Sequence, residues 1–284
     1  MDILSSSLIL VGPGRAGRAF ARSWRDAGGS VAGVVGRDRA SAEEGARRIG
    51  QGTPEALDAV QANCDLLLVS VPDDALEPVG AALAGRISCR TAFHFSGALP
   101  AERLAPLRAR GAALGSLHPL RPFTGAGEES WEDAFVAIEG DLVAVEEGER
   151  VLAAIRARGY RLDTAEKPLY HAAATLAAGG TAAVLSLAIR AWARAGLPEE
   201  DGRKALGGLS ARAASAVAER PFEEAFTGPL ARRDLGTVRA HRQALEGSGE
   251  ILALYALLAE ETLRRTPDRG KEEEIRALLR GRKP

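Results

Sequence analysis

The sequence predicts an α/β Rossmann domain, a doubly wound and mostly parallel sheet, followed by an all-α domain. Three observations predict it. Short apolar runs alternate with helical patterns as far as Asp163. The fingerprint Gly12-Pro13-Gly14-Arg15-Ala16-Gly17 links the first apolar run to the first helical pattern. After Ala165 strand signals stop and long helical stretches follow. These set expected domains of 1–163 and 164–284, and a length of 284 residues suits two domains of roughly 150 residues each.

The first strand is read at Leu8–Val11 and the first helix at Arg15–Ala27, followed by a strand at Val31–Val35 and a helix at Ser41–Ile49. Leu66–Val71, an unbroken Leu/Val run before Ser70, reads as a strand buried on both faces. A helix at Leu76–Ala84, a strand at Thr91–Phe95 and a helix at Glu102–Arg110 continue the alternation. Strands at Ala113–Leu117 and Phe135–Ile138, a helix within 142–158 and a last strand at Tyr160–Asp163 complete it. Helices are then expected at 167–195, 199–219, 234–246, 249–265 and 271–281, punctuated by Pro198, Pro221, Pro229 and Pro267. Within the first of these, His171–Ile189 carries no formal charge and reaches the length of a bilayer span. Its Ala173, Ala177, Gly180 and Ala183 favour close helix packing. The expectation is a buried helix of a helical domain or dimer, with no membrane contact.

Bulk composition excludes several classes. Hydrophobic residues make up 46%, charged residues 26%, and the net charge is −1. Nothing global draws such a chain to nucleic acid or acidic lipid. Cys64 and Cys89 are the two cysteines, too few for a multi-cysteine zinc site, and they suit a reduced, cytoplasmic protein. The segment Met1–Ser7 lacks the basic and apolar pattern of a signal peptide.

The fingerprint carries the first functional expectation. Gly12 permits a tight turn, Gly14 lets backbone approach a pyrophosphate, and Gly17 lets helix pack on strand. The free amides at the helix start, with Pro13, Arg15 and Ala16 around them, form an anion cradle. At the end of the second strand, NAD readers place an acid for the ribose 2′-hydroxyl, whereas here the chain reads Gly36-Arg37-Asp38. A missing carboxylate and an adjacent guanidinium suit a 2′-phosphate, so NADP(H) is preferred over NAD(H). Two alternatives stand beside this: Arg37 as a solvated turn charge, and Asp38 serving a 2′-hydroxyl after a two-residue slip. Val71 and Pro72, ending the strongest strand, and Ser96, ending the next, are expected to line the cofactor. Asp73 and Asp74 read as helix caps.

Four histidines are candidates for chemistry. His94 and His118 end predicted strands, on the crevice side of an open sheet. Lys167 and His171 are four residues apart and share a helical face if the helix extends back through Pro168. Each has a bland alternative, a packed histidine or a solvated lysine. His241 is the fourth. Thr227–Asp234 reads as a turn into a helix capped by Asp234, with Arg232 free to reach an anion.

These motifs together resemble a family of uncharacterised Rossmann-like oxidoreductases with a helical C-terminal domain of unknown function. The resemblance rests on residues 11–17, 70–76, 94–104, 115–123, 167–174, 227–234 and 237–241, and covers nearly the whole chain. Relatives are the β-hydroxyacid dehydrogenases, pyrroline-5-carboxylate reductases and deazaflavin-dependent NADP reductases. The resemblance implies a helical dimerisation domain and an active crevice between the domains. It implies an NADP(H)-dependent oxidoreductase acting on a small carbonyl or imine by hydride transfer. Lys167 or His171 would supply the proton and His94 and His118 would shape the pocket. Many relatives carry an asparagine where Gly179 stands here. That departure favours a second reading, a non-catalytic dinucleotide-sensing dimer; a purely structural dimer is a third.

Overall fold

Alternate residues of each central strand feed two different cores, and this is what fixes the architecture. The computed structural model describes residues 2–125, 129–267 and 270–281. Eight strands form one sheet: β1 (Ser7–Val11), β2 (Ser30–Gly36), β3 (Thr53–Ala56), β4 (Ala62–Val69), β5 (Ile87–His94), β6 (Ala113–Pro119), β7 (Phe135–Gly140) and β8 (Arg158–Arg161). Their order is β3-β2-β1-β4-β5-β6-β7-β8, and every neighbouring pair is parallel except β6 and β7. Leu8, Leu10, Leu66 and Leu68 pack under α1 (Arg15–Asp26) and α4 (Leu142–Ala154), whose Phe20, Trp24, Val151 and Leu152 are fully buried. Ile9, Val11, Leu67 and Val69 pack on the other face under α3 (Leu76–Ala84) and the segment Ala101–Arg110. A parallel sheet covered on both faces is the expected consequence of the unbroken Leu/Val runs. The helix α2 (Arg39–Ile49) follows β2.

Two elements depart from expectation. β3, with sequence Thr-Pro-Glu-Ala, is a strand that no apolar run announces. It lies at the sheet edge, where a missing proline amide and a charged side chain are tolerated. The expected helix at 102–110 is a 3-10 segment with a kink at Leu104 and Pro106 inside it.

The chain divides into two compact units, Met1–Ala174 and Thr175–Pro284. The division therefore falls later than the expected 163/164. Residues 164–174, including α5 (Lys167–Thr175) up to its last turn, stay with the sheet because Thr164 Oγ1 and Lys167 Nζ bind Glu139 on β7. The second unit is helical: α6 (Thr181–Arg194), α7 (Glu199–Glu219), the single turns α8 (Phe222–Ala225) and α9 (Gly228–Ala231), α10 (Leu235–Ala244), α11 (Gly249–Arg265) and α12 (Glu272–Leu279). Its buried apolar centre is Val238, Leu263 and Ile275. Arg233, at φ 56° and 2% exposed, ties this unit together. Its guanidinium donates to Leu263 O and Thr266 O and pairs with Glu272. Asp234 caps α10 by accepting from the Thr237 amide.

The stretch Thr164–Arg194 is helical throughout, with a π segment at Leu176–Gly180, and is long and apolar enough to cross a membrane. None of its apolar window is buried within the chain, so the expected burial inside a helical domain is not met.

Candidate functional site

The glycine loop leaves β1 as a turn that only glycine fits. Gly12 has φ +80°, and its amide donates to Val35 O at 2.8 Å. A Cβ there would lie 2.4 Å from Ser70 O and 2.8 Å from Val71 Cγ1. At Gly17 it would meet Gly12 O and Ser70 Cβ at 2.9 Å, so this glycine sets the helix-to-strand approach. Gly14 differs: the nearest atom to its Cβ position is Ser70 O at 3.9 Å, an ordinary van der Waals contact, so this position is not crowded. Gly14 is also the N-cap of α1 and no side chain caps that helix, so its first amides are free for an anion. Pro13 packs against Gly45, Ala16 O accepts from Trp131 Nε1, and Arg15 donates to Thr124 O at 3.0 Å.

At the end of β2, Gly36 is required by the cap of α2. A Cβ there would come within 2.3 Å of Ser41 Oγ and 2.6 Å of the Ala42 amide. An acidic side chain is thus sterically excluded from the position where an NAD reader carries one. Asp38 is the N-cap residue: its Oδ1 accepts from the Ser41 amide at 2.7 Å and its Oδ2 pairs with Arg37 Nε at 3.2 Å. The Ser41 amide holds the Asp38 carboxyl below its usual range. Asp38 is therefore engaged in capping α2. The Arg37 side chain is 89% exposed and is held to Asp38 through Nε alone.

The strand ends of β5, β6 and β7 bring the second group together. His94 is fully buried. Its Nδ1 accepts from the Ser96 amide at 3.1 Å, so its Nε2 carries the proton and donates to Pro100 O at 3.0 Å. Burial pushes its pKa down to about 4. Both nitrogens are occupied within the loop from Ser96 to Pro100.

Lys167 is enclosed likewise. It is 2% exposed, and its ammonium donates to Ser116 Oγ at 2.6 Å and Ser96 O at 3.2 Å and pairs with Glu139 at 3.2 Å. Burial lowers its pKa, opposed by Glu139. Burial raises the Glu139 carboxyl, but Lys167, the Ala101 amide and Ser116 outweigh this and hold it below its usual range. The pair is enclosed and bonded on both sides, as in a structural tie.

His118 and His171 are different. Both are partly exposed, with ring centroids 5.7 Å apart at 79°. Gly97 lies against both: a Cβ on it would be 2.6 Å from His171 Cδ2 and 2.7 Å from His118 Nε2. His118 Nδ1 is 2.9 Å from the Tyr170 hydroxyl. Burial, with His171 and Lys167 nearby, pushes the His118 pKa down to about 4. Ser96 Oγ, also expected at the cofactor, donates to Asp73 at 2.9 Å and accepts from the Leu99 amide at 3.0 Å. Pro72 opens the 3-10 turn Asp73–Ala75, and Val71 packs on Gly12.

Sequence reading passes over Glu139, Ser116, Tyr170 and Gly97. Tyr170 had a signal: it lies on the helix face shared by Lys167 and His171. Glu139 had none, because its partners are 23 to 38 residues away in the chain. Among the described residues no cluster of three His, Cys, Asp or Glu could hold a metal ion.

Residues 4–119 match the model of a Rossmann-like domain, and residues 134–262 match that of a domain of unknown function, DUF2520. The second match takes in β7, α4 and β8 as well as most of the helical unit. No curated protein matches the chain. Protein TM1727 from Thermotoga maritima superposes with TM-score 0.74 at 21% identity, covering 96% of this chain and 99% of that one. A candidate NADP oxidoreductase from Bacteroides fragilis gives 0.72 at 21%, over 93% and 100%. A reductive aminase from Aspergillus terreus, in complex with NADPH and ethyl-5-oxohexanoate, gives 0.60 at 20%, over 98% and 99%. At such identities the likeness is one of fold.

Proposed function

For a chain that joins a Rossmann-like domain to a DUF2520 domain, we propose an NADP(H)-dependent reductase of a small carbonyl or imine compound. The observation that carries this reading is the paired cradle at β1 and β2. An uncrowded Gly14 stands at an uncapped helix start, and Gly36 shuts out an acid beside the exposed Arg37. The free amides of α1 would hold a pyrophosphate and the open nitrogens of Arg37 a 2′-phosphate. NADPH, when bound, supplies a hydride to an electrophilic carbon. His118 and His171 would face the polar end of the substrate, with Gly97 giving the room. Lys167 and His94 would hold the walls. The overall likeness to a reductive aminase and an NADP oxidoreductase supports the fold-level part of this reading.

We further place the protein in the cytoplasm as a homodimer, with the exposed apolar helix Thr164–Arg194 as the contact. A second reading, a non-catalytic dinucleotide sensor, is favoured by one observation: Lys167 is bonded to Glu139 and unavailable to a substrate.

Titration with NADPH and NADH, read by fluorescence and thermal shift, tests the proposal. At about 100 times its dissociation constant a native-state ligand adds roughly 2.7 kcal/mol of stability. NADPH is expected to bind more tightly, with the preference lost in Arg37→Ala. Failure of both nucleotides to bind overturns the proposal; binding without turnover across a carbonyl and imine panel leaves the sensor.

A further inference from the structure

A phenol hydroxyl has one proton to give, and at Tyr170 two groups of His118 stand within reach of it. Tyr170 Oη lies 3.3 Å from His118 O, which can only accept, and 2.9 Å from His118 Nδ1. One assignment satisfies both contacts: Tyr170 donates to His118 O and accepts from Nδ1–H of His118. The reverse, with Tyr170 donating to Nδ1, turns two lone-pair oxygens toward each other at 3.3 Å.

We propose that Tyr170 is a positioning residue that holds His118 as its Nδ1–H tautomer, so that a bare Nε2 meets the substrate and selects a group carrying a hydrogen-bond donor. His118 Nε2 sits at Gly97 with no hydrogen-bond partner among the described residues. The charged and titratable groups around His118 are His171, Lys167 and Asp73, with Tyr170 on the helix packed against it. Lys167 is paired with Glu139, and Asp73 partly offsets the positive potential that Lys167 sets at His118. An acceptor in this setting repels the lone pairs of a neutral carbonyl oxygen. It welcomes a hydroxyl or a protonated nitrogen.

The substrate part of this inference rests on the reductase reading above. It divides the carbonyl and imine classes on proton balance. A protonated imine enters with its own hydrogen: NADPH is oxidised to NADP⁺, the hydride forms the new C–H bond, the C=N π pair becomes the nitrogen lone pair, and the product is a neutral amine. His118 holds the N–H throughout and gives up no proton. A neutral ketone has no such arrangement, because its alkoxide needs a proton that a bare Nε2 lacks.

Long-range ¹H–¹⁵N NMR of histidine-labelled full-length protein near neutral pH tests the tautomer without any ligand, with His118→Asn assigning the signal. The expected result is a protonated Nδ1 and an unprotonated Nε2. A protonated Nε2 overturns the proposal, whatever the cofactor titration gives. Tyr170→Phe is expected to mix the tautomers and, with NADPH and a cyclic imine as probe, to lower kcat/KM roughly five- to tenfold, the scale of one hydrogen bond. It should also move the pH profile; an unchanged profile in a folded Tyr170→Phe removes the positioning role. The substrate arms are a cyclic imine and a neutral ketone, each with NADPH. Turnover of the first and not the second is expected, and ketone reduction at comparable kcat/KM overturns the selectivity. Absence of nucleotide binding would sink the reductase reading while leaving the NMR result to stand or fall alone.

Discussion

At the residue scale, burial decides what each candidate side chain can do. Lys167 and Glu139 are both nearly inaccessible, at 3% and 4% of their side-chain surface. Removing one partner of such a pair leaves the other charge buried and uncompensated, at a cost of about 3–5 kcal/mol. Lys167→Ala is therefore expected to lower stability by that amount in urea unfolding, and Lys167→Met with Glu139→Gln to recover most of it. Recovery of stability without recovery of activity would mean the ammonium also serves the chemistry. His94 makes a pH prediction. Its folded pKa of about 4 lies below its unfolded value near 6.5, so between these values the unfolded chain binds more protons. Stability is then fully present above about pH 6.5 and falls as pH drops toward 4. The limit is roughly 3 kcal/mol for a shift of this size. His118 titrates in the same window but is partly exposed, so its share is smaller. His94→Asn should flatten the slope; an unchanged slope would assign it elsewhere.

At the element scale, what could be read from sequence followed from local signals. The strands with Leu/Val runs, the glycine turn and the Asp234 cap all carry their information within a few residues. β3 did not, because an edge strand needs no apolar alternation, and the segment at 101–110 is 3-10 where its apolar spacing read as a helix despite Pro106. Positions of His94 and His118 at strand ends were legible, yet their states were not. Whether a histidine is sealed by Pro100 O or left with a bare nitrogen depends on partners that only folding assembles. The same holds for Lys167. The junction of β2 and α2 yields a prediction of its own. Gly36→Asp would force a side chain into Ser41 and Ala42, so the cap of α2 must give way. Loss of a cap costs about 0.5–2 kcal/mol. The variant should lose that stability and weaken NADPH binding together. If NADPH binding survives at full strength, the 2′-phosphate does not lie at this junction.

At the scale of the whole molecule, the outstanding feature is apolar surface without cover. Leu169 is 70% exposed and Leu176 74%, on a helix whose apolar window has no buried residue. Large exposed apolar patches mark interaction surfaces, and the occupants in question are a second copy or a bilayer. The small residues Ala173, Ala177 and Ala183 favour the first, because they let a second helix approach closely, whereas lipid gains little from them. Sedimentation equilibrium is expected to give a dimer, and Leu176→Glu to shift it toward monomer with lower thermal stability, since a folded dimer is stabilised by mass action. Concentration-dependent melting of the parent chain and its loss in the variant would follow from the same linkage. A parent chain that sediments as a monomer and partitions onto lipid vesicles would transfer this face from a partner chain to a membrane. In that event the homodimer falls, while the cradle at Gly12 to Gly17, built wholly within the first unit, keeps its own test.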